Sequence, residues 1–221
     1  MLLWVGASAA QAQITQAPIQ VGQGGAATYE LSADPRAVVL RMKEEIGALE
    51  QPDSGPSITV YASGRTVVQY PPYMKRAGTY EITLAPAEMR NMVESLLARR
   101  IVEFDASAVR QRKRAAIAAR RTASAAARAG TATKPELLEV FDATTTHIEV
   151  QLARYRPALT GAQSGPAAAA PVQRNVTRSI SWYGLRADAR HFPTIEEIQD
   201  LAEASRSLRA LMERAGLSKV E

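Results

Sequence analysis

Hydrophobic and polar residues alternate most clearly between residues 56 and 97, where the pattern predicts three strands followed by a helix. The first and third runs alternate with the period of a strand that has one buried face. The second run is rich in β-branched and aromatic side chains, which favour strands. Gly64 supplies a turn between the first two. The three predicted strands lie at residues 58–61, 65–70 and 79–84.

Two segments repeat their apolar residues at helical spacing instead. The first follows Pro86 and predicts a helix over residues 86–98 that packs on the preceding strands. The second predicts a helix over residues 194–215, in which Thr194 and Glu197 form a capping box. The apolar stripe of the first helix consists of Met89, Met92, Val93, Leu96 and Leu97.

Further strands are predicted on both sides of the central stretch, at residues 29–32, 38–46, 148–152 and 176–182. The last two form a hairpin around a flexible loop rich in alanine, glycine and proline, residues 157–171. The pattern therefore predicts a single α+β domain over residues 28–215. Its mainly antiparallel sheet has about five to seven strands and carries the two helices on one face.

Residues 105–134 form an inserted segment of different composition, basic and rich in alanine. Asp105 is its single acid, so much of the chain's net charge of +5 is concentrated there. Alanine and arginine favour helix, and the segment predicts one from Ala106 to Ala129, capped by Asp105. Because apolar residues larger than alanine are nearly absent, we expect this helix to pack loosely or to project into solvent.

Three interpretations of the basic helix stay open. It is a solvated insertion, a contact for an anionic partner such as lipid headgroups, lipopolysaccharide or an acidic protein, or a nucleic-acid-binding element. Nucleic acid is the least favoured partner, because no aromatic residue lies among the cations to stack on bases. The candidate anionic-surface contacts are Arg110, Arg112, Lys113, Arg114, Arg120 and Arg121.

The N-terminus predicts export. An apolar run that ends in Ala10-Gln11-Ala12 resembles the second half of a secretory signal peptide, although no basic residue precedes it. We therefore predict a shortened signal peptide over residues 1–12, a flexible leader over residues 13–27, and a periplasmic or secreted location. No later run is apolar enough to span a bilayer. The chain has no cysteine, which excludes disulfides and thiol catalysis.

Motifs for catalysis or for cofactors are missing from the sequence. His147 and His191 lack further ligands at a metal-binding spacing, and no G-x-S-x-G elbow occurs. We therefore predict no catalytic residue, no metal ligand and no cofactor. One loop combines aromatic and basic residues, and loops carry function more often than frameworks do. The candidate partner contacts in this loop are Tyr70, Tyr73, Lys75 and Arg76.

Several short motifs in order resemble a family of exported bacterial domains of unknown function. The resemblance covers residues 56–212 and implies a small sheet covered by two helices. A fainter similarity in layout is to emfourin-type inhibitors of secreted metalloproteases, from which no inhibitory residue carries over. The motifs are the Tyr61-x-x-Gly64 turn, Gly78-x-Tyr80 and its following helix, Phe104, Asp142-x-Thr144-Thr145, and the helix after Pro193.

Together these features favour a non-enzymatic binding protein of the bacterial envelope, whose partner is an unknown protein or an anionic envelope component. Its contact surface is the loop at residues 70–76, the sheet face that the helices leave open, or both. One alternative is a structural protein that uses the basic helix on anionic surfaces. Another is an inhibitor of a secreted protease. A hydrolase with an unrecognised site is the least favoured, since it needs clustered titratable residues in a pocket.

Overall fold

The computed structural model describes residues 27–46, 54–128, 143–158, 170–214 and 216–220. Within them the chain forms one eight-stranded sheet with antiparallel pairing and four α-helices, which confirms the predicted α+β class. The strands are β1 Thr28–Glu30, β2 Val38–Ile46, β3 Ser54–Tyr61, β4 Arg65–Tyr70, β5 Gly78–Thr83, β6 Thr144–Arg156, β7 Gln173–Tyr183 and β8 Ser218–Val220. The helices are α1 Pro86–Ala98, α2 Ala106–Arg128, α3 Leu185–His191 and α4 Glu196–Met212.

Several predicted segments fall wholly or largely outside the described residues. They are the signal peptide, the flexible leader except for its last residue, the end of the basic segment after residue 128, and most of the loop at 157–171. In the part of the chain that is described, no helix is long and apolar enough to cross a membrane.

The long strand β6 organises the sheet. One of its edges pairs along its length with β7, and the other pairs with β2 and, further along, with β1. From β2 the sheet continues through β3, β4 and β5 to β8. Edge strand β7 therefore lies at one side of the sheet and the three-residue strand β8 at the other.

One face of the sheet carries the core. Leu40 and Met42 of β2 pair with Val150 and Ile148 of β6, and all four side chains are buried. The predicted alternation of the central strands is confirmed by the burial of Ile58, Val60 and Val68 on the neighbouring strands. Apolar residues of the helices join the same cluster, including Met89, Val93, Leu96 and Leu97 of the stripe predicted for α1.

A buried ion pair ties α4 to this core face. Glu44 of β2 lies on the same face as Met42, and its carboxylate pairs with the guanidinium of Arg209. A buried carboxylate is costly without a partner, so the pair fixes where the second half of α4 rests. The hydroxyl of Tyr70 adds a second tie, donating to the carbonyl of Met212 at 2.8 Å.

Three details differ from the sequence predictions. Helix α4 begins at Glu196 after Ile195, and no side chain caps it. The prediction of a capping box formed by Thr194 and Glu197 is therefore wrong. Helix α3 was not predicted, because seven residues are too few for a clear helical period. Strand β8 was not predicted either. It pairs with β5 over three residues, a contact that only the tertiary fold creates.

Gly64 offers a test of the β3–β4 turn. Its φ is +83°, and a Cβ built there lies 2.6 Å from the carbonyl oxygen of Leu84. We predict that Gly64→Ala lowers the free energy of unfolding by about 1–2 kcal/mol through the left-handed backbone alone, and by more because of the clash. Urea unfolding followed by circular dichroism measures the loss.

Gly216→Ala is the matched control. The φ of Gly216 is +94°, but its added Cβ would meet nothing closer than Cδ1 of Ile82 at 3.8 Å. The control should therefore lose only the backbone contribution. An equal loss in the two variants would show that the close approach of Leu84 to Gly64 costs nothing.

Candidate functional site

Basic helix α2 packs against the protein rather than projecting from it. Val109 is fully buried, and Ala106, Ala116 and Ile117 contact the core. The expectation of a loosely packed or projecting helix is therefore wrong for these turns. Val109 and Ile117, the two apolar residues larger than alanine, are enough for the helix to pack because alanines allow close approach. The long stems of lysine and arginine also cover apolar surface themselves. Asp105 caps the helix as predicted, accepting from the backbone N–H groups of residues 107 and 108.

A buried carboxylate holds this helix in place. Asp188 of α3 is 4% exposed. Its Oδ2 accepts a hydrogen bond from Nζ of Lys113 at 2.7 Å and another from Nε1 of Trp182 at 2.8 Å. The donors come from α2 and β7, so a single oxygen connects three elements. A buried charge of this kind is stable only when it is paired and hydrogen-bonded, and both conditions hold here.

Cationic side chains of α2 also lie over aromatic rings. The guanidinium of Arg110 lies 5.5 Å from the ring centroid of Trp182, which also packs edge-to-face on Phe104. The ring of Phe192 lies 5.2 Å from the guanidinium of Arg120 and 5.7 Å from Nζ of Lys113. Cations over aromatic faces are attracted by the ring quadrupole, most strongly where water is excluded. The corner of α2, β7 and α3 is thus held by charge as much as by apolar packing.

Four of the six predicted anionic-surface contacts form hydrogen bonds or ion pairs with other residues of the protein. Arg110 donates to the carbonyl of Ser181 at 3.0 Å, and Arg120 donates to that of His191. Arg112 pairs with Glu197 of α4 at 2.6 Å, and Lys113 pairs with Asp188 as above. The remaining two, Arg114 and Arg121, are exposed, and the described residues provide no ion-pair partner for either. Helix α2 therefore turns part of its charge inward and keeps part for solvent.

The aromatic and basic loop after β4 divides in the same way. Tyr70 stacks edge-to-face with Tyr80 at 5.8 Å, and the guanidinium of Arg76 lies 5.4 and 5.5 Å from the two ring centroids. Burial raises the pKa of Tyr70, whose hydroxyl is bonded to α4. Tyr73, which is 52% exposed, and Lys75 point to solvent. Two of the four candidate contacts thus hold the loop in place, and the other two are available to a partner.

The sheet face opposite the core is polar. Its outward side chains are half-buried or exposed, and Val67 is an aliphatic exception among hydroxyl, amide and charged groups. By the register of the strands, the polar members include Arg41, Lys43, Glu45, Ser57, Thr59, Arg65, Gln69, Thr79, Glu81, Thr145, His147, Glu149, Gln151, Thr177, Ser179 and Ser181. We call this surface the open face.

Charges of opposite sign alternate near the middle of the open face. The carboxylate of Glu45 accepts a hydrogen bond from Nζ of Lys43 at 2.7 Å and lies 3.1 Å from Nε2 of His147. The hydrogen bond from Lys43 lowers the pKa of Glu45, and the nearby His147 lowers it further. Arg41 approaches Glu149 at 3.9 Å in the next row. In the described part of the chain, no three acid, histidine or cysteine side chains cluster to hold a metal ion.

Strand β7 has one outward edge. Residues 176, 178, 180 and 182 lie opposite β6 partners, and their side chains lie on the core face. Gly184 continues the same alternation and donates to the carbonyl of Thr144, so the N–H and C=O groups of these residues point toward β6. The carbonyl of Ser181 bonds to Arg110 of α2, so it points away from β6. Because N–H and C=O of one residue point the same way in an antiparallel ladder, Thr177 and Ser179 also turn theirs outward. Both residues are exposed, and no described strand pairs with them.

Sequence reasoning missed Asp188 and the β7 edge. One signal for Asp188 was present, since it is the sole acid between Glu149 and Glu196 in a stretch that contains six arginines. An isolated acid among many cations is a candidate for a specific partner. The open edge had no comparable signal, because the pairing of β7 on one side only depends on the order of strands in the whole sheet.

Asp188→Asn tests the corner of α2, β7 and α3. The amide keeps a similar shape but leaves the ammonium of Lys113 without its counter-charge. We predict that the free energy of unfolding falls by about 2–3 kcal/mol. Limited trypsin digestion should also cut α2 faster, because its lysine and arginine residues are then held less firmly.

Two further variants make the result specific. Arg114→Met removes a cation from the next position of α2 and should change stability by less than about 0.5 kcal/mol. Lys113→Met combined with Asp188→Asn should cost less than the sum of the single changes, by about 1–3 kcal/mol. Additive losses in this double-mutant cycle would mean that the two side chains do not stabilise each other.

Comparison with known proteins does not identify a family. No family model matches the chain, and no match is found among curated proteins or among solved structures. The resemblance to an exported bacterial domain family, and the fainter one to emfourin-type inhibitors, stay predictions.

Proposed function

We propose that this chain is an exported, non-enzymatic binding protein of the bacterial envelope and that its open face is the contact surface. In this proposal α1 and α4 lie together on the core face and support the sheet from behind. The observation that carries the proposal is the open face itself, a polar surface that extends from β7 across the sheet to β5, and none of the polar side chains named for it above is buried.

The composition of the open face suits reversible binding. Interfaces that form and dissociate are about as polar as the rest of a protein surface. Six strands at a spacing of about 4.8 Å make the face about 25–30 Å wide, close to the dimension of a standard protein contact. The hydrogen-bonded ion pair of Glu45 with Lys43 at 2.7 Å restricts these two side chains before a partner arrives, and Arg41 and Glu149, 3.9 Å apart, add charges of both signs. A partner with complementary charges then needs little rearrangement.

A second candidate is an anionic-surface tether through α2. It is supported by Arg114 and Arg121, which are exposed on the outward side of the helix. It is weakened by the internal partners of Arg110, Arg112, Lys113 and Arg120. The two of the six predicted contacts that stay available give only weak, salt-sensitive attraction to a membrane surface, about 1 kcal/mol each. The open face is therefore the stronger candidate.

Site-specific photo-crosslinking in the native cells tests the proposal. A photoreactive side chain at Thr59, in the middle strand of the open face, is expected to capture one defined protein partner in the envelope fraction. The same group at Gln111, exposed on α2, is the matched control and should not capture it. A partner captured at Thr59 supports the binding function because the reaction requires direct contact.

Two outcomes would contradict the proposal. Capture at Gln111 but not at Thr59 would move the function to α2. Recovery of the chain in the cytosolic fraction would overturn the envelope location, whichever position reacts.

A further inference from the structure

We propose that the outward edge of β7 between Val176 and Ser181 takes up an extended acidic segment of a partner protein as an additional strand. The inference rests on the proposed binding function and adds to it a surface and the chemistry of the partner. The edge adjoins the open face, because the side chains of Thr177 and Ser179 belong to both.

The backbone of the edge supplies the hydrogen bonds. Thr177 and Ser179 turn both N–H and C=O away from β6, and the N–H of Ser181 points the same way. Exposed residues on a strand with such groups form a template for one more strand. Addition of an extended segment to a sheet edge is a recurring mode of peptide recognition, in which main-chain bonds give affinity.

The structure limits the length of that segment at both ends. Arg110 of α2 occupies the carbonyl of Ser181, so the added strand cannot continue past this point. Asn175 has a φ of +50°, an irregularity that interrupts a regular edge on the other side. Between them the edge accommodates about five residues, the usual length of a strand.

Charge selects the chemistry of the segment. Strand β7 contains Arg174 and Arg178 and no acid, and neighbouring α2 contains cations alone after its Asp105 cap. An added strand would place alternate side chains beside Arg178, whose Nε also donates to the carbonyl of Val102 at 2.7 Å, and near Arg110 of α2, and both cations favour carboxylates. The other side chains would lie beside the hydroxyl groups of Thr177 and Ser179. The same charges disfavour pairing of β7 with β7 of a second copy, since like charges would then meet.

A fluorescein-labelled, end-capped peptide of alternating valine and glutamate is the probe. Fluorescence anisotropy with the full chain should show saturable binding that a peptide of alternating valine and lysine does not show. Ser179→Pro removes an outward N–H that β6 does not use, and proline is tolerated at such edge positions. This variant should keep its circular dichroism spectrum and bind the acidic peptide about tenfold more weakly.

Ser179→Ala is the matched control. It removes the hydroxyl group but keeps the N–H, and should bind within about twofold of the unchanged chain. An NMR titration of the unchanged chain provides a readout that does not depend on folding of the proline variant. The acidic peptide should shift the amide resonances of Thr177 and Ser179 more than those of Val67 and Thr79, on distant strands of the same sheet.

Failure of this inference is distinguishable from failure of the proposed function. Equal binding of the two peptides, or shifts that miss β7, would overturn the acidic strand at this edge. Absence of binding to either peptide would overturn it as well. If crosslinking at Thr59 still captures a partner, the binding function stands with a different contact.

Discussion

The carboxylate of Asp188 is the constraint on which the outer part of this structure depends. It is buried, and its charge needs a counter-charge and hydrogen-bond donors close by. Lys113 and Trp182 provide that balance and thereby bring α2 against the end of β7. The cations of α2 that lie over aromatic rings follow from the same placement. Without the carboxylate, α2 would keep the apolar contacts of Val109 and Ile117 but lose the ion pair that joins it to α3.

Docking at this corner decides which surfaces remain exposed. Arg110 of α2 contacts β7 at Ser181, and among the described residues no strand pairs with the preceding part of this edge, whose Thr177 and Ser179 are exposed. The charge of α2 is divided by the same contact, with Lys113 and Arg120 turned toward α3 and Arg114 turned to solvent. A basic segment in the sequence is therefore only partly a basic surface in the folded protein.

Much of the fold followed from local patterns, and the alternation along the strands also indicated an exposed sheet face, whereas the docking of α2 and the outward edge of β7 did not follow from them. Helix α1 has the bounds that its apolar stripe predicted, and β4 has those predicted by its β-branched run, because each pattern has one structural solution. The docking of α2 was not predicted, since pairing Lys113 with Asp188 joins residues 75 positions apart in the chain. The loop after β4 shows the same limit. Its composition suggested four contact residues, but Tyr70 and Arg76 are occupied by contacts with Tyr80 that only the folded chain brings together.

Hydrogen exchange followed by NMR on the full chain tests the central claim most directly. The indole N–H of Trp182 should exchange slowly, at a rate similar to the amide of Ile180 in the β6–β7 ladder, because it is bonded to the buried Asp188. The amide of Ser179 should exchange quickly, because it faces outward from the same strand. Rapid exchange of the Trp182 indole in a protein whose core amides stay protected would contradict the account, since the corner that positions α2 would then be open.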